Sequence, residues 1–234
     1  MDKMGKRRRN CSRAIGDLKY VSIYPLRIIS AAYCLLLILV IIGCASLPDA
    51  IEKRFTSVRN DVFSEVPETE NPTINKSIVA IRACLKTNCA GYFLFDSKNS
   101  PYGKPTFRFM FSIDGQTAVW DAPGKIENLP LYLEDGKPNC APCAGEGMFY
   151  RLEKRISLEP GTHRVFFALP DDGYSMEFDV TLIKNREHRL ELKPVYGYSP
   201  MVRHPYRRAT FRGGIKSYSV ALDGEPVNSE KEVP

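Results

Sequence analysis

Four cysteines in two short motifs are the side chains of this sequence with the clearest chemical potential. Cys84 and Cys89 stand five positions apart, and Cys140 and Cys143 stand three positions apart. Such a set binds zinc, forms two disulfides, or carries out thiol–disulfide exchange. The choice among these chemistries depends on whether the protein matures where thiols are oxidised.

The first 44 residues predict that compartment. Eight Lys or Arg residues precede an uncharged run at 28–42, and the run ends at Gly43-Cys44. A basic region followed by an apolar one is the layout of an export signal. Because Ile41 and Gly43 stand three places and one place before Cys44, the segment resembles a bacterial lipoprotein signal peptide. The resemblance implies cleavage after residue 43 and fatty acyl chains such as palmitate on Cys44.

The same resemblance implies a location. Ala45 follows Cys44 where an Asp would signal retention at the inner membrane of enterobacteria, so we expect a lipid-anchored protein of the cell envelope, at the outer membrane and facing the periplasm. The membrane is then a partner through the anchor. The alternative is an uncleaved signal anchor, although 15 apolar residues fall short of the roughly 20 that span a bilayer.

An oxidising compartment favours disulfides over a zinc site for the four remaining cysteines. Four cysteines allow three connectivities, and the sequence does not choose among them. Pairing within each motif is the simplest arrangement. A cross-link between the motifs closes a longer loop and therefore constrains the unfolded chain more strongly.

A redox pair at Cys140 and Cys143 is the sharper alternative, since a proline between two cysteines resembles the thioredoxin family. Motifs of that family open a helix whose N-terminus lowers the thiol pKa. Here Gly145 and Gly147 follow, and glycine disfavours a helix. The sequence therefore favours structural cysteines.

Other catalytic motifs are missing. The sequence contains no Gly-x-Ser-x-Gly elbow, no His-Glu-x-x-His, no phosphate-binding glycine loop and no dinucleotide fingerprint. His163 and His188 occupy a turn and a strand start, and Asp171-Asp172 precedes a glycine, as turn residues do. We therefore expect no enzymatic activity, no cofactor and no metal.

Three aromatic residues are weak candidates for a carbohydrate-binding surface. Trp120 is the single tryptophan, and Tyr102 and Tyr132 lie in neighbouring predicted loops. Their rings offer flat faces for a sugar, whereas a single tryptophan in a strand pattern is typical of a buried core. The core interpretation is favoured for Trp120.

The charge balance gives no indication of nucleic-acid binding. The leader holds eight of the 33 Lys and Arg and two of the 27 Asp and Glu, so 191 residues with 25 charges of each sign follow it. The net charge of +6 therefore belongs to the leader. The remaining length is enough for one domain with a proper core.

Residues 44–76 are expected to form a tether. Ile51, Phe55, Val58 and Val62 recur at helical spacing and predict one short amphipathic helix. Residues 64–73 contain two prolines and three acids with few apolar side chains, which is typical of a linker.

From residue 77 to residue 198 apolar side chains recur at every second position. The alternating runs are Phe107/Phe109/Phe111/Ile113, Ile156/Leu158, Val165/Phe167/Leu169, Met176/Phe178/Val180/Leu182 and Leu190/Leu192. Turn residues separate them at 159–161, 171–173 and 184–185, and Asp114-Gly115 predicts a tight hairpin. Short strands with this spacing predict an all-β fold, an antiparallel β-sandwich.

Residues 155–196 carry a more specific pattern. Leu158, Pro160, Gly161 and His163 form a leucine-x-proline-glycine-x-histidine segment, and Gly173-Tyr174 follows it. This pattern resembles the PEGA-type surface module, which implies a β-sandwich displayed at the cell surface. A generic immunoglobulin- or transthyretin-like sandwich remains the alternative.

The C-terminal residues 199–225 are predicted to form a basic and aromatic extension. Arginines interleave with tyrosine and phenylalanine, and Tyr218, Val220 and Leu222 predict a final strand before a flexible tail at 226–234. Such a stretch can bind polyanions. An edge strand with a solvated basic loop is the favoured interpretation.

Together these features predict a lipid-anchored cell-envelope protein with a structural or binding role and no catalysis. Envelope proteins and cell-wall glycans are the expected partners besides the membrane, and nucleic acid is not. Two alternatives stay open: a periplasmic thiol–disulfide redox module built on Cys140 and Cys143, and a carbohydrate- or peptidoglycan-binding module.

Overall fold

Alternating burial explains why this chain folds into strands. The structure is a computed structural model that describes residues 57–69, 71, 75–91, 100, 102–198 and 209–230. In the third strand Phe107, Phe109, Phe111 and Ile113 point inward, and all four are at most 3% exposed. A period of two places alternate side chains on opposite faces of a strand. The predicted all-β fold is confirmed.

Eleven strands and two short 3₁₀ helices lie in the described residues. The strands are β1 Phe63–Glu65, β2 Ser77–Thr87, β3 Thr106–Ile113, β4 Gln116–Leu129, β5 Gly145–Leu158, β6 Gly161–Leu169, β7 Tyr174–Leu182, β8 Glu187–Tyr196, β9 Ile215–Leu222, β10 Glu225–Pro226 and β11 Ser229–Glu230. The 3₁₀ helices are Pro170–Asp172 and Phe211–Gly213.

The strands form one curled sheet in the order β10-β9-β8-β2-β5-β4-β3-β6-β7-β11, with β1 paired to β5. The long strand β4 joins the two arms of this sheet, because its residues 116–123 pair with β3 and its residues 124–129 pair with β5. A strand shared in this way lets the sheet curl around its own core.

The strand order differs from the predicted antiparallel arrangement. The pair β2 and β8 is parallel, with Ile78 opposite Glu187 and Ala83 opposite Leu192, so the sheet is mixed. Parallel neighbours cannot be joined by a tight hairpin. Here the chain builds the entire β3–β7 region between the two strands, a connection that local turn signals do not reveal.

The core lies inside the curl and is rich in aromatic rings. Phe167 of β6 contacts Phe111 of β3 at 4.9 Å and Tyr218 of β9 at 5.0 Å between ring centroids. Rings at these separations contribute beyond the area that they bury. Phe167 therefore ties both arms of the sheet to one core.

The segment before β2 is attached to the domain. The backbone N–H of Val58 donates to Gly115 O at 3.0 Å, and Gln116 Oε1 accepts from the N–H groups of Val62 and Phe63 at 2.7 and 3.0 Å. Ser64 and Glu65, placed in the predicted linker, pair with β5 instead.

The described part of the predicted amphipathic helix, residues 57–62, is not helical. The backbone N–H groups of Val58 and Val62 donate to the β3–β4 hairpin. They are therefore not available for the i to i−4 hydrogen bonds of a helix. Ile51 and Phe55 lie outside the described residues.

The predicted signal peptide 1–43 and Cys44 also lie outside the described residues, as do Arg203, Arg207 and Arg208 of the C-terminal extension. Within the described part of the chain, no helix is long and apolar enough to cross a membrane. The predicted final strand is present as β9, and residues 229–230 of the predicted tail pair with β7.

Candidate functional site: a cleft at the end of β2

No disulfide joins any two of the cysteines at 84, 89, 140 and 143 in the structure. Cys84 lies inside β2, and three more strand residues follow it toward Cys89. An extended chain of this length spans roughly 10 Å. A disulfide needs Cα atoms within about 7 Å. The pairing of Cys84 with Cys89, the simplest by sequence, is therefore not the one that the strand favours.

Cys143, one of the two cysteines of the redox alternative, lies in an environment that disfavours its thiolate. Burial raises the pKa of Cys143, against the lowering effect of the Lys86 charge and of a hydrogen bond with Tyr196. Residues 141–144 form a turn in which Ala144 N–H donates to Ala141 O at 2.9 Å, and β5 follows instead of a helix. Reactive cysteines need the opposite environment, one that stabilises the thiolate.

Both described histidines are held by aspartates of two-residue hairpins. His163 Nδ1 lies 2.7 Å from Asp114 Oδ2, and His188 Nδ1 lies 2.8 Å from Asp223 Oδ2. In each case the other carboxylate oxygen accepts a backbone N–H, from Arg164 at 2.9 Å and from Arg189 at 2.8 Å. We call these two sites the His–Asp corners.

The corners share their backbone conformation. Asp114 and Asp223 have φ values of 47° and 55°, and each is followed by a glycine with positive φ, as a type I′ hairpin turn requires. The predicted hairpin at Asp114-Gly115 is confirmed. The histidine rings and the aspartate carboxylates are already hydrogen-bonded to each other and to the backbone of the hairpins and strands. We therefore assign the corners a structural role.

The three aromatic candidates for sugar binding are not gathered in one place. Trp120 is 6% exposed and its Nε1–H donates to Glu65 Oε1 at 2.7 Å, which makes it a core residue. Tyr132 is 57% exposed in the loop after β4. Tyr102 alone lines a cleft.

That cleft has a volume of 260 Å³ and opens at the end of β2. It lies between Asn88, Tyr102, the first 3₁₀ helix at Asp172, Tyr196 at the end of β8, and residues 211–215. We call it the Asn88–Asp172 cleft. Its size suits one small ligand or the end group of a larger one, at the lower limit of known ligand sites.

Close backbone approaches set the walls of the cleft. A Cβ atom on Gly103 would collide with the backbone of Ala90, so the Tyr102 segment rests directly on the chain that follows Asn88. A Cβ on Gly213 would collide with the carbonyl group of Gly197. Glycine at these positions brings the second 3₁₀ helix and the end of β8 together.

Lys86 forms the floor of the cleft and is 1% exposed. Its Nζ donates to Glu127 Oε2 at 3.1 Å and to the carbonyl oxygens of Cys143 and Gly145 at 2.8 and 2.9 Å. An ammonium group has three N–H donors, and all three are used here. Lys86 therefore fastens the 143–145 segment to β2 and has no proton left for a ligand.

Asn88 follows β2 directly and is only 5% exposed. Its side-chain oxygen Oδ1 is buried and has no hydrogen-bond partner among the described residues. A buried carbonyl without a donor costs about 1–3 kcal/mol, so such atoms are rare in folded proteins unless they serve a purpose.

Asp172 is the second acceptor in the cleft. Tyr102 donates its hydroxyl hydrogen to Asp172 Oδ1 at 3.1 Å, and no cation contacts the carboxylate among the described residues. Burial raises the pKa of Asp172 to about 6; the Tyr102 hydrogen bond opposes the shift and the Asp171 charge adds to it. A carboxyl group in this state is uncompensated.

Sequence reasoning missed most of this site. Asp172 was interpreted correctly as a turn residue, since it ends a 3₁₀ helix. No sequence pattern indicates that its side chain also lines the cleft. Asn88 and Lys86 lie between Cys84 and Cys89, and they were assigned no role from the sequence. Two sequence features pointed to this region, the weak ligand-binding candidate Tyr102 and the basic and aromatic pattern around Phe211.

Compared with known protein families, with curated proteins and with solved structures, the chain shows no significant match.

Proposed function

We propose that this protein is a non-catalytic, lipid-anchored binding module of the bacterial cell envelope, and that its ligand site is the Asn88–Asp172 cleft. The observation that carries the proposal is the buried Oδ1 of Asn88, which lacks a donor in the same 260 Å³ cleft as the uncompensated carboxylate of Asp172. Acceptors left unsatisfied in a concave site are a ligand's recognition points.

The non-catalytic part of the proposal rests on how the reactive side chains are used. His163 and His188 are each held by an aspartate in a hairpin corner. Burial raises the pKa of both Cys84 and Cys143. A nucleophile within reach of a base, with donors for a developing oxyanion, is not assembled in the described residues.

The anchor part of the proposal combines the lipobox-like sequence at Cys44 with the attachment of residues 57–66. Twelve residues, 45–56, separate the proposed acylated cysteine from the attached segment, and they reach at most about 40 Å. The domain is thereby kept close to the membrane surface, as expected of a periplasm-facing envelope module. A sandwich of the PEGA or immunoglobulin-like type belongs to this proposal as its finer fold.

Two measurements test the proposal. The first is intact mass spectrometry of the protein expressed with its leader in a bacterial host, where we expect a species that starts at acylated Cys44. An unprocessed chain would contradict the lipid anchor. Alkylation in the same experiment counts the thiols among the four cysteines.

The second measurement is a binding screen by ¹⁵N NMR of residues 57–234 within the full mature protein, with soluble peptidoglycan fragments and other small envelope constituents. We expect shifts at Asn88, Tyr102 and residues 211–215 and loss of these shifts in Asn88→Leu. The exposed Asn128→Leu variant serves as the matched control. Binding elsewhere, or binding unaffected by Asn88→Leu, would contradict the cleft as the ligand site.

The redox alternative predicts a different outcome of the alkylation experiment. A redox-active pair at Cys140 and Cys143 cycles between dithiol and disulfide at a potential near that of its compartment. A permanently reduced or permanently oxidised pair across physiological redox buffers supports the binding module instead.

A further inference from the structure

The hydrogen-bond acceptors in the Asn88–Asp172 cleft define the chemical character of a ligand that fits it. From the described residues Asn88 Oδ1 receives no hydrogen bond, and Asp172 receives only the Tyr102 hydroxyl hydrogen at 3.1 Å, on Oδ1. A complementary group has to bring hydrogen-bond donors, because both atoms only accept when Asp172 is ionised.

The described cationic side chains Lys86, Lys104 and Arg212 contact groups other than Asp172. Lys86 uses its three protons on Glu127 and two backbone carbonyls. Lys104 lies 3.9 Å from Asp171, the neighbour of Asp172. The Arg212 guanidinium lies over the Phe211 ring at 5.5 Å from its centroid, and a Cβ atom on Gly145 would come within 3.2 Å of it. Within the part of the chain that the structure describes, the negative charge of Asp172 therefore has no counterion.

Aromatic rings complete the surroundings. Tyr102, Tyr196 and Phe211 line the cleft, and the ammonium group of Lys86 already lies 5.3 Å from the Phe211 ring centroid. Ring faces attract cations, and the attraction strengthens where water is excluded.

From these contacts we propose, on the basis of the proposed function, that the cleft binds a protonated primary amine that carries further hydroxyl or amine donors, such as an amino sugar or a diamine. The ammonium group binds Asp172, and a second donor binds Asn88 Oδ1. The 260 Å³ volume limits the ligand to a small molecule or to the amino end of a longer one.

Other ligand classes fit less well. An anion would meet the Asp172 carboxylate. Of the two described cations that line the cleft, Lys86 has no proton left for it and Arg212 lies over the Phe211 ring. A calcium ion needs six to eight oxygen ligands, and the described residues contain no group of three or more His, Cys, Asp or Glu that could hold a metal. A neutral sugar satisfies Asn88 but leaves the Asp172 charge without a partner.

The proposal carries a proton linkage. Since the pKa of Asp172 is raised to about 6 in the empty cleft, an ammonium ligand that prefers the ionised carboxylate displaces a proton below that pH. The groups that face Asp172 are Asp171 and Tyr102 from its own side and Tyr218 from β9, with Lys104 paired to Asp171. The affinity is expected to rise up to about tenfold from pH 5 to pH 7.5.

The test is isothermal titration calorimetry of the mature protein with two matched pairs: glucosamine against N-acetylglucosamine, and putrescine against 1,4-butanediol. We expect the amine of each pair to bind at least tenfold more tightly than its neutral partner. The two amines distinguish a sugar source from an aliphatic one.

Variants locate the effect. Asp172→Asn is expected to abolish the tenfold preference for amines and the pH dependence, whereas the neighbouring Asp171→Asn retains both within twofold. Asp172→Asn keeps the shape of the side chain and removes an uncompensated charge, so the variant is expected to fold.

The outcomes separate this inference from the function on which it rests. Equal or tighter binding of a neutral partner at the cleft overturns the amine inference and leaves the binding module standing. No binding by any of the four compounds overturns the amine inference, and the NMR screen then decides on the cleft as a ligand site. An amine preference that survives Asp172→Asn also overturns it.

Discussion

The His–Asp corners and the Asn88–Asp172 cleft use the same side-chain chemistry in opposite ways. At the corner in β9 and β10, the two oxygens of Asp223 accept from His188 and from the Arg189 backbone N–H, at 2.8 Å each. In the cleft Asp172 accepts one phenolic hydrogen bond and Asn88 Oδ1 accepts none. A carboxylate with all its partners stabilises the fold, whereas acceptors without partners are available to a ligand.

The pKa values express this difference. At Asp223 burial acts to raise the pKa, but hydrogen bonds from Arg189 and His188 and the charge of Arg186 hold it below its ordinary value. At Asp172 burial dominates and the pKa rises to about 6. Ionised Asp223 is therefore favoured by folding, and ionised Asp172 is disfavoured by it.

Lys86, at the floor of the cleft, should stabilise the fold as the corners do, and its substitution should give the largest loss of stability. Lys86→Met removes the ammonium group that binds Glu127 and two carbonyl oxygens. We expect a loss of about 3 kcal/mol or more in the free energy of unfolding, because buried acceptors are left without a donor. Urea denaturation measures it. Lys154→Met is the control: its surface pair with Glu65 should contribute less than about 1 kcal/mol.

Asp172→Asn should stabilise the protein at neutral pH. Between the ordinary pKa of 3.8 and about 6 the folded state holds a proton that the unfolded state has lost, so stability falls as pH rises through this window. The substitution removes that loss, which we place on the order of 2 kcal/mol at pH 7.5 and near zero at pH 3.5. Equal effects at both pH values would show that the carboxylate has a counterion.

Asp223→Asn should have the opposite sign. The pKa of Asp223 is lowered, so its contribution is present at neutral pH and lost as pH falls through the folded value. We expect a loss of about 1 kcal/mol at pH 7.5, shrinking at pH 3. Asn tolerates the positive φ of this position, which isolates the carboxylate's role. A loss that does not change with pH contradicts the assignment.

The smallest effect is expected at the unpartnered amide. Asn88→Leu should change the free energy of unfolding by less than about 1 kcal/mol, because the shape is nearly conserved and a buried acceptor without a donor is removed. His163→Leu at the first corner is the comparison: it deprives Asp114 and Glu159 O of a partner and should cost about 2 kcal/mol. Similar losses for both variants would erase the distinction between cleft and corner.

Local sequence patterns predicted the strands because burial on one face repeats every second residue. The inward residues of β3 and β6 were predicted, and the Asp114-Gly115 hairpin followed from the conformations that these two residues allow. The parallel pairing of β2 with β8 was not predicted, because about a hundred residues of chain separate the two strands and no local pattern indicates their contact. The attachment of β1 was missed for the same reason, since its partner is β5.

By itself the sequence determined the all-β fold and the turns, since both depend on residues that are neighbours in the chain; the lipobox-like leader stays a prediction. Only the tertiary structure decided which polar groups have partners. Lys86 and Asn88, Asp172, and Arg212 come from three separate segments, and whether a buried oxygen meets a donor depends on where those segments are packed. The cleft exists because hydrogen-bond satisfaction is a property of three-dimensional neighbours.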